Sequence, residues 1–202
     1  MAYSRYERDW TLRLACSLIV AGISVSFASH ALAQIASDNS LSTNVNTPDN
    51  LNFTISNGDR VGNNLFHSFS EFSVPTGGSA TFSNAPDIEN VIGRITGQSP
   101  SNIDGVIRAG GNANLFLINP NGIIFSGNAA LEIGGSFLAS TASSIKFADG
   151  KQFSTTASHD KPLLTVSVPV GLQFGSTANP IQNRSIVGLE VPEGKTLALV
   201  GG

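Results

Sequence analysis

Cysteine, tryptophan, tyrosine and methionine are almost missing from this 202-residue chain, and the few copies are confined to one end. The single Trp, Cys and Met and both Tyr fall within the first sixteen positions, so residues 17–202 contain none of these four types. The rest of the chain therefore offers no disulfide, no thiolate metal ligand and no cysteine nucleophile. Apolar burial and backbone hydrogen bonds have to hold its fold.

Charged residues are also scarce, at 12% of the chain, and the formal net charge is −3. The eleven Lys and Arg form no cluster after the N-terminus. Binding to a phosphate backbone needs such a cluster, so the sequence predicts no nucleic-acid partner. With 41% apolar residues the chain is able to bury a core, which is not typical of a disordered polypeptide.

The N-terminus has the order of features typical of a secretory signal peptide. Arg5, Arg8 and Arg13 precede an apolar run over residues 14–28, and Ala-Leu-Ala at 31–33 provides a small-x-small cleavage site. The apolar run is shorter than the roughly 20 residues that span a bilayer. We therefore predict a helical signal peptide over residues 1–33, read by the general secretion machinery, and an exported domain over residues 34–202.

The exported part is rich in turn-forming residues, because Gly, Ser, Asn and Thr make up 71 of its 169 residues. Short β-branched and aromatic runs alternate with them, which predicts an all-β fold of short strands joined by tight turns. The predicted strands are Leu51–Ile55, Ala80–Phe82, Val91–Ile95, Val106–Ile107, Leu115–Ile118, Ile123–Phe125, Leu131–Ile133, Phe137–Leu138, Ile145–Phe147, Leu164–Val168, Leu172–Phe174, Ile186–Val191 and Leu197–Val200.

The spacing of these runs restricts the architecture. Between residues 106 and 147 their centres lie seven to ten residues apart, which leaves little room for crossover helices. An antiparallel sandwich and a parallel β-helix both fit this spacing. Small polar residues at outward positions favour stacked coils, of about three strands and roughly 20–25 residues each. Because a solenoid needs a polar cap and none follows the last strand, we expect the protein to continue beyond residue 202.

Several candidate sites have weak support from the residues. Gly188–Thr196 resembles a phosphate-binding loop, but five residues separate its glycines where the motif has four. His67 is predicted to pack beside a core strand, and His159 to lie in a solvated turn. On a strand, Asp87 and Glu89 would share one face as paired carboxylates or a cation site, but two carboxylates are too few for calcium and charged turns are common, so we favour a turn. We predict no catalytic residue, no metal and no cofactor.

The most informative segment is a turn of sequence Asn119-Pro120-Asn121-Gly122 between two apolar runs. Pro120 fixes φ at the first corner, and Asn121 and Gly122 tolerate positive φ. The Asn119 amide is able to hydrogen-bond the turn backbone. On these residues alone the segment is a well-formed structural turn.

The segment NPNGIIF at 119–125 resembles the N-terminal secretion domain of filamentous haemagglutinin-like exoproteins of two-partner secretion systems. The resemblance extends over about residues 41–202 and rests on an ordered series of stretches. These are NNLFHSFSEFSV (63–74), NVIGRITG (90–97), SNIDGVIRAGG (101–111), ANLFLI (113–118), GGSFLAST (134–141) and TLALVGG (196–202). A second Asn-Pro-Asn motif, found in many members, is absent.

The resemblance implies a right-handed parallel β-helix with short extra-helical β elements. It also implies passage through the periplasm to the cell surface or medium, and recognition by the periplasmic domains of an Omp85-type outer-membrane transporter. In that family the Asn-Pro-Asn-Gly turn is associated with secretion, which assigns transporter recognition to residues 119–122. A second candidate recognition segment comprises Leu65, Phe66, Ser68, Phe69 and Phe72.

The resemblance implies that such a domain serves an adhesin, whose ligand on a host or neighbouring cell would be bound by sequence outside this chain. Three alternatives remain open at this stage. The chain could be a secreted β-helix enzyme acting on polysaccharide, the N-terminal part of a contact-dependent toxin, or a self-sufficient adhesin. The hypothesis of an enzyme requires a groove of converging Asp, Lys or Arg side chains, and few basic residues are present.

Overall fold

The structure, a computed structural model, describes residues 34–156, 162–176 and 178–202. The described residues form β-strands, turns and loops, and none of them belongs to a helix able to cross a membrane. The predicted signal peptide and His159 lie outside these ranges. The strands are β1 Ile35–Ser37, β2 Thr43–Asn46, β3 Asn52–Asn57, β4 Asp59–Val61, β5 Asn64–Phe72, β6 Ser79–Phe82, β7 Asn90–Ile95, β8 Ser101–Ile103, β9 Val106–Ala109, β10 Asn114–Ile118, β11 Ile123–Phe125, β12 Ala130–Ile133, β13 Phe137–Ser140, β14 Ser144–Phe147, β15 Gln152–Ser154, β16 Pro169–Gln173, β17 Ile181–Asn183 and β18 Leu197–Val200.

These strands build a right-handed parallel β-helix of about three turns, which confirms the predicted fold class. One sheet has the order β5-β7-β10-β13-β18, a second β3-β6-β9-β12 and a third β8-β11-β17, each with parallel neighbours. Equivalent positions are 26, 24 and 22 residues apart over the steps from β5 to β13, and 60 residues apart from β13 to β18, where β14, β15 and β16 are inserted. The antiparallel sandwich is therefore excluded, and the predicted coil length is close to the observed one.

Apolar residues at alternate positions fill the interior of the solenoid because successive side chains of a strand point to opposite faces. On the first sheet, Leu65, Val91, Leu115 and Phe137 stand in register and are buried in the core. Burying such a side chain stabilises the fold by about 1.5–3 kcal/mol. Stacking one more coil therefore extends a continuous core.

Antiparallel elements outside the coils cover two parts of the solenoid. Strands β1 and β4 flank β5, and β2 pairs with β3. A second group, β15-β14-β16, packs a separate apolar cluster against the outer face of the first sheet. In this cluster the ring of Phe66 lies 5.1 Å from that of Phe153 and 5.9 Å from that of Phe147. These are the short extra-helical β elements that the resemblance implied.

Two of the predicted strands are wrong. The segment 164–168 forms no ladder, because its carbonyls at Thr165 and Ser167 accept hydrogen bonds from the side chain of Asn64 instead of from a neighbouring strand. The segment 186–191 is a loop in which Gly188 has a φ of +87° and Ile186 is 89% exposed. Apolar composition indicated both strands, but each segment forms only an isolated backbone bond, from Ala148 to the Val168 carbonyl and from Ile186 to the Gly127 carbonyl, and no ladder.

Candidate functional site

The turn at residues 119–122 joins β10 of the first sheet to β11 of the third. The Gly122 amide donates to the Asn119 carbonyl at 3.1 Å, and the Asn121 amide donates to Asn119 Oδ1 at 3.0 Å. The predicted bond between the Asn119 side chain and the turn backbone is thus confirmed. Of the two residues that tolerate positive φ, only Gly122 adopts it, at +111°.

Side chains of this turn bind the preceding coil. Asn119 is fully buried, and its Nδ2 donates to the Ser99 carbonyl and to Ser101 Oγ, both at 3.0 Å. Asn121 Nδ2 donates to the Gly97 carbonyl at 2.7 Å. Both asparagines therefore act as clamps between two corners that are stacked on one another.

The turn also binds the following coil. The Pro120 carbonyl accepts hydrogen bonds from the backbone amide of Asn179 at 3.2 Å and from its Nδ2 at 3.0 Å. The turn consequently connects three successive corners of the solenoid. Each of these bonds contributes about 1 kcal/mol, and a buried amide left without partners costs about 1–3 kcal/mol.

The outer side of the turn lines a polar cleft of about 430 Å³. Half-buried Pro120 and Asn121 form part of its wall, next to Gln98, Thr156 and Asn179. None of the residues that line this cleft carries a charge. In the folded domain a partner is therefore able to touch Pro120 and Asn121, whereas Asn119 is shielded.

The second candidate segment lies entirely on β5, and all five of its residues are buried. Leu65, Phe69 and Phe72 point into the solenoid core, whereas Phe66 packs under the extra-helical sheet. The hydroxyl of Ser68 donates to Asp38 Oδ2 at 2.6 Å. The structure does not bring this segment against residues 119–122, since β7 lies between β5 and β10.

One buried residue that sequence reasoning missed is Arg94. Its Nε donates to Ser68 Oγ at 2.8 Å, one terminal nitrogen donates to Ser40 Oγ at 3.1 Å, and the other donates to the Ser154 carbonyl. The guanidinium carbon lies 4.6 Å from the centre of the Phe153 ring. Arg94 thus joins the N-terminal segment, β5 and β15. A lone arginine inside the apolar run Val-Ile-Gly-Arg-Ile is the signal that could have revealed it.

Burial and neighbouring groups have opposite effects on the pKa values of Arg94 and Asp38. Burial lowers the pKa of Arg94, and the nearby carboxylate of Asp38 opposes that shift. For Asp38, burial alone raises the pKa, but hydrogen bonds from Ser68, Ser40 and Thr96 outweigh it and leave the pKa below its usual value. The guanidinium and the carboxylate are therefore both charged near neutral pH.

His67 lies on β5 itself and faces inward, with 1% of its surface exposed. Its Nδ1 is 3.3 Å from Thr43 Oγ1, and its ring packs edge-on against Phe82. Burial lowers the pKa of His67 to about 4, and the nearby charge of Asp59 only partly opposes this shift. The prediction of a core environment is confirmed.

Asp87 and Glu89 do not share a strand face, and both lie in the turn that precedes β7, which agrees with the favoured interpretation of a charged turn. Asp87 forms an ion pair with Arg60 at 2.6 Å, and the hydrogen bonds from Arg60 lower its pKa. Glu89 accepts a hydrogen bond from Asn63 Nδ2 at 2.9 Å. Within the described ranges no three His, Cys, Asp or Glu side chains meet in a group able to hold a metal ion. The segment 188–196 is a loop that leads into β18, which agrees with its interpretation as a turn and not with the strand predicted over its first residues.

Comparison with known proteins identifies the family. The family model described as the TPS secretion domain matches residues 33–202. This chain belongs to the TPS secretion domain family. The family is one of secretion domains and not a known family of enzymes. No curated protein matches the chain.

Two solved structures resemble this TPS secretion domain. The HMW1 secretion domain from Haemophilus influenzae has a TM-score of 0.51 and 18% identity over 84% of this chain and 38% of that one. The filamentous hemagglutinin secretion domain has a TM-score of 0.48 and 21% identity over 55% of this chain and 43% of that one. At such identities the likeness to HMW1 supports the fold. The chain spans less than half the length of either structure.

Proposed function

We propose that this chain is the secretion domain of a two-partner secretion exoprotein. Residues 1–33 deliver it to the periplasm as a cleaved signal peptide, and residues 34–202 address the exoprotein to an Omp85-type outer-membrane transporter. At the cell surface the same residues begin the folding of a β-helix, and adhesion resides in further sequence. Membership of the TPS secretion domain family supports this assignment.

The observation that carries the proposal is the clamp formed by residues 119–122. Asn119 and Asn121 bind the corner of the coil before them, and Asn179 of the coil after them binds Pro120. The folded turn fixes how consecutive coils stack. A chain that folds coil by coil outside the membrane releases free energy at each step without ATP, because each coil buries further apolar side chains.

Recognition and folding then use the same residues at different times. Asn119, Phe66 and Phe69 are inaccessible once the coils have stacked. A transporter that reads these side chains therefore reads them in the periplasmic chain before it folds. A chain without cysteine in residues 34–202 forms no disulfide that would block this extended state. When the coils stack, the recognised residues become buried, which favours release of the exoprotein from the transporter.

The test compares Asn119→Ala with Asn84→Ala in cells that carry the transporter. Asn84 is a matched control because its side chain also exchanges two inter-coil hydrogen bonds, both with Gly110, at 2.8 and 3.1 Å. Secretion and urea stability of residues 34–202 are measured for each variant. We expect both variants to be destabilised by about 1–3 kcal/mol, and secretion to fall further for Asn119→Ala.

Two outcomes would contradict the recognition role. Undiminished export of Asn119→Ala with an intact fold would reject it outright. Equal losses of secretion for the two variants, in proportion to their losses of stability, would leave residues 119–122 as a structural turn only. Asn121→Ala extends the comparison, because its side chain is half-buried and forms one bond to Gly97 at 2.7 Å.

A further inference from the structure

The antiparallel sheet β15-β14-β16 is an insertion in the solenoid. It lies in the chain between β13 and β17, where the regular coil spacing is interrupted. The Ser143 amide donates to the Gln173 carbonyl at 2.8 Å, so the chain leaves the solenoid and returns to it at one place. After the return, β17 and β18 pair in parallel with β11 and β13. The solenoid is therefore continuous without the inserted sheet.

The inserted sheet folds back over strands that precede it in the chain. Its buried apolar residues are Ile145, Phe147 and Phe153. They form one cluster with a residue from each of β5, β7 and β10, which are parallel neighbours in three successive coils. These three residues are Phe66, Ile92 and Ile118. The surface beneath the inserted sheet therefore exists only when three coils have stacked in register.

Buried polar side chains of the first two coils bind the backbone of the insertion. Asn64 Nδ2 donates to the Thr165 and Ser167 carbonyls at 3.0 and 2.8 Å. Arg94 donates to the Ser154 carbonyl. Asn64 and Arg94 are each 2% exposed. These bonds join the insertion to residues that lie 60–103 positions earlier in the chain, on coils that are already built when the insertion follows.

The inserted sheet depends on the solenoid more than the solenoid depends on the sheet. The solenoid core is a separate cluster from the one beneath the sheet. Removal of the sheet would expose Phe66 and Ile92, whereas Leu115 and the other core residues would remain buried between the coils. A sheet of few short strands is marginally stable in water unless its apolar face is covered. The insertion therefore needs the coils in order to persist.

We propose that residues 144–154 and 162–173, which include β14, β15 and β16, form a latch that closes only on three stacked coils and then slows their separation. Coil stacking buries Phe69 inside the solenoid, whereas Phe66, on the outer face of the same strand, is buried by the latch. Closure of the latch is thus the last step in the burial of β5. The latch opens first when the domain unfolds, and the coils separate afterwards.

Native-state hydrogen exchange tests the order of opening without any substitution. The sample is the chain of residues 34–202, which contains every described element. The amides of Phe147 and Ala148 form backbone hydrogen bonds within the latch, and those of Thr96 and Asn114 form them between coils. We expect protection factors at least about tenfold lower for the two latch amides, because the latch opens while the coils stay stacked. Equal protection of the two groups, or stronger protection of the latch, would overturn the proposal.

Folding and unfolding kinetics test the latch with a matched pair of variants. Phe153→Leu alters the cluster beneath the latch, and Phe82→Leu makes the same change in the solenoid core, where Phe82 is equally buried and packs against Phe69. We expect Phe153→Leu to raise the unfolding rate about fivefold and to leave the folding rate within about twofold, because its contacts form after the coils have stacked. Phe82→Leu should slow folding by more than about twofold.

The opposite kinetic result would also overturn the proposal. If Phe153→Leu slows folding as much as Phe82→Leu does, the latch forms together with the coils and does not close on them. If either variant fails to refold, the exchange measurement on the unsubstituted chain decides the question. Neither measurement involves a transporter. Failure of the latch therefore leaves the proposed function standing, and failure of the proposed function leaves the latch standing.

Discussion

Acidification from pH 7 to pH 5 should destabilise the folded domain through His67. The pKa of His67 is about 4 in the folded domain, because the ring is buried, and about 6.5 in an unfolded chain. Between these values the unfolded chain binds the proton and the folded chain does not, so stability falls as the pH falls. The full effect is about 3 kcal/mol, of which about 2 kcal/mol is lost between pH 7 and pH 5.

Urea unfolding at several pH values measures this loss. Far-ultraviolet circular dichroism is the suitable signal, since residues 34–202 contain no Trp or Tyr. His67→Leu fills the site with an apolar side chain and removes the titrating group. We expect its stability to change by less than about 0.5 kcal/mol over the same pH range. The carboxylates with lowered pKa, such as Asp38, lose their contribution only at lower pH.

The reasoning fails if wild type and His67→Leu lose the same stability between pH 7 and pH 5. A direct titration of His67 by NMR gives an independent check when the variant folds poorly. A measured pKa near 6.5 would mean that the ring is solvated, in conflict with its burial beside Phe69 and Phe82.

Two further predictions concern a tight corner and the leader. Gly97→Ala should lower the stability of the domain by about 1–3 kcal/mol, because a Cβ there would overlap the Ser70 carbonyl. Gly171→Ala should lower the stability of the domain far less, because there is open space around that position. Equal melting temperatures for the two variants would contradict the close contact at Gly97. When residues 1–202 are expressed alone, the secreted product should show almost no absorbance at 280 nm, because the Trp and Tyr residues of this segment all precede residue 17; a clear Tyr or Trp signal would mean that the leader is retained.

The solenoid could be predicted from the sequence wherever coils repeat. Apolar runs indicate strands such as β10 and β11. The turn between these two strands is indicated by residues that suit its geometry. Strands such as β2 and β8 contain one apolar residue each and gave no signal. The extended conformation of these two strands depends on backbone hydrogen bonds from neighbouring strands. The composition of a segment does not reveal such partners.

Long-range placement could not be predicted from local patterns. His67 and Ser68 are adjacent, yet one faces the core and the other the polar cluster around Arg94. Only the alternation of a strand that is covered on both faces explains this difference. The resemblance indicated Asn119 as a recognition residue, while its burial against Ser99 and Ser101 became visible only with the coils stacked.

The central claim is that this chain directs export through a partner transporter. The most direct measurement expresses residues 1–202, fused to a reporter, in cells with and without the Omp85-type transporter of the same system. The account predicts reporter in the medium or on the cell surface only when the transporter is present, and reporter retained in the periplasm when it is absent. Equal export in both strains, or retention in both, would contradict it.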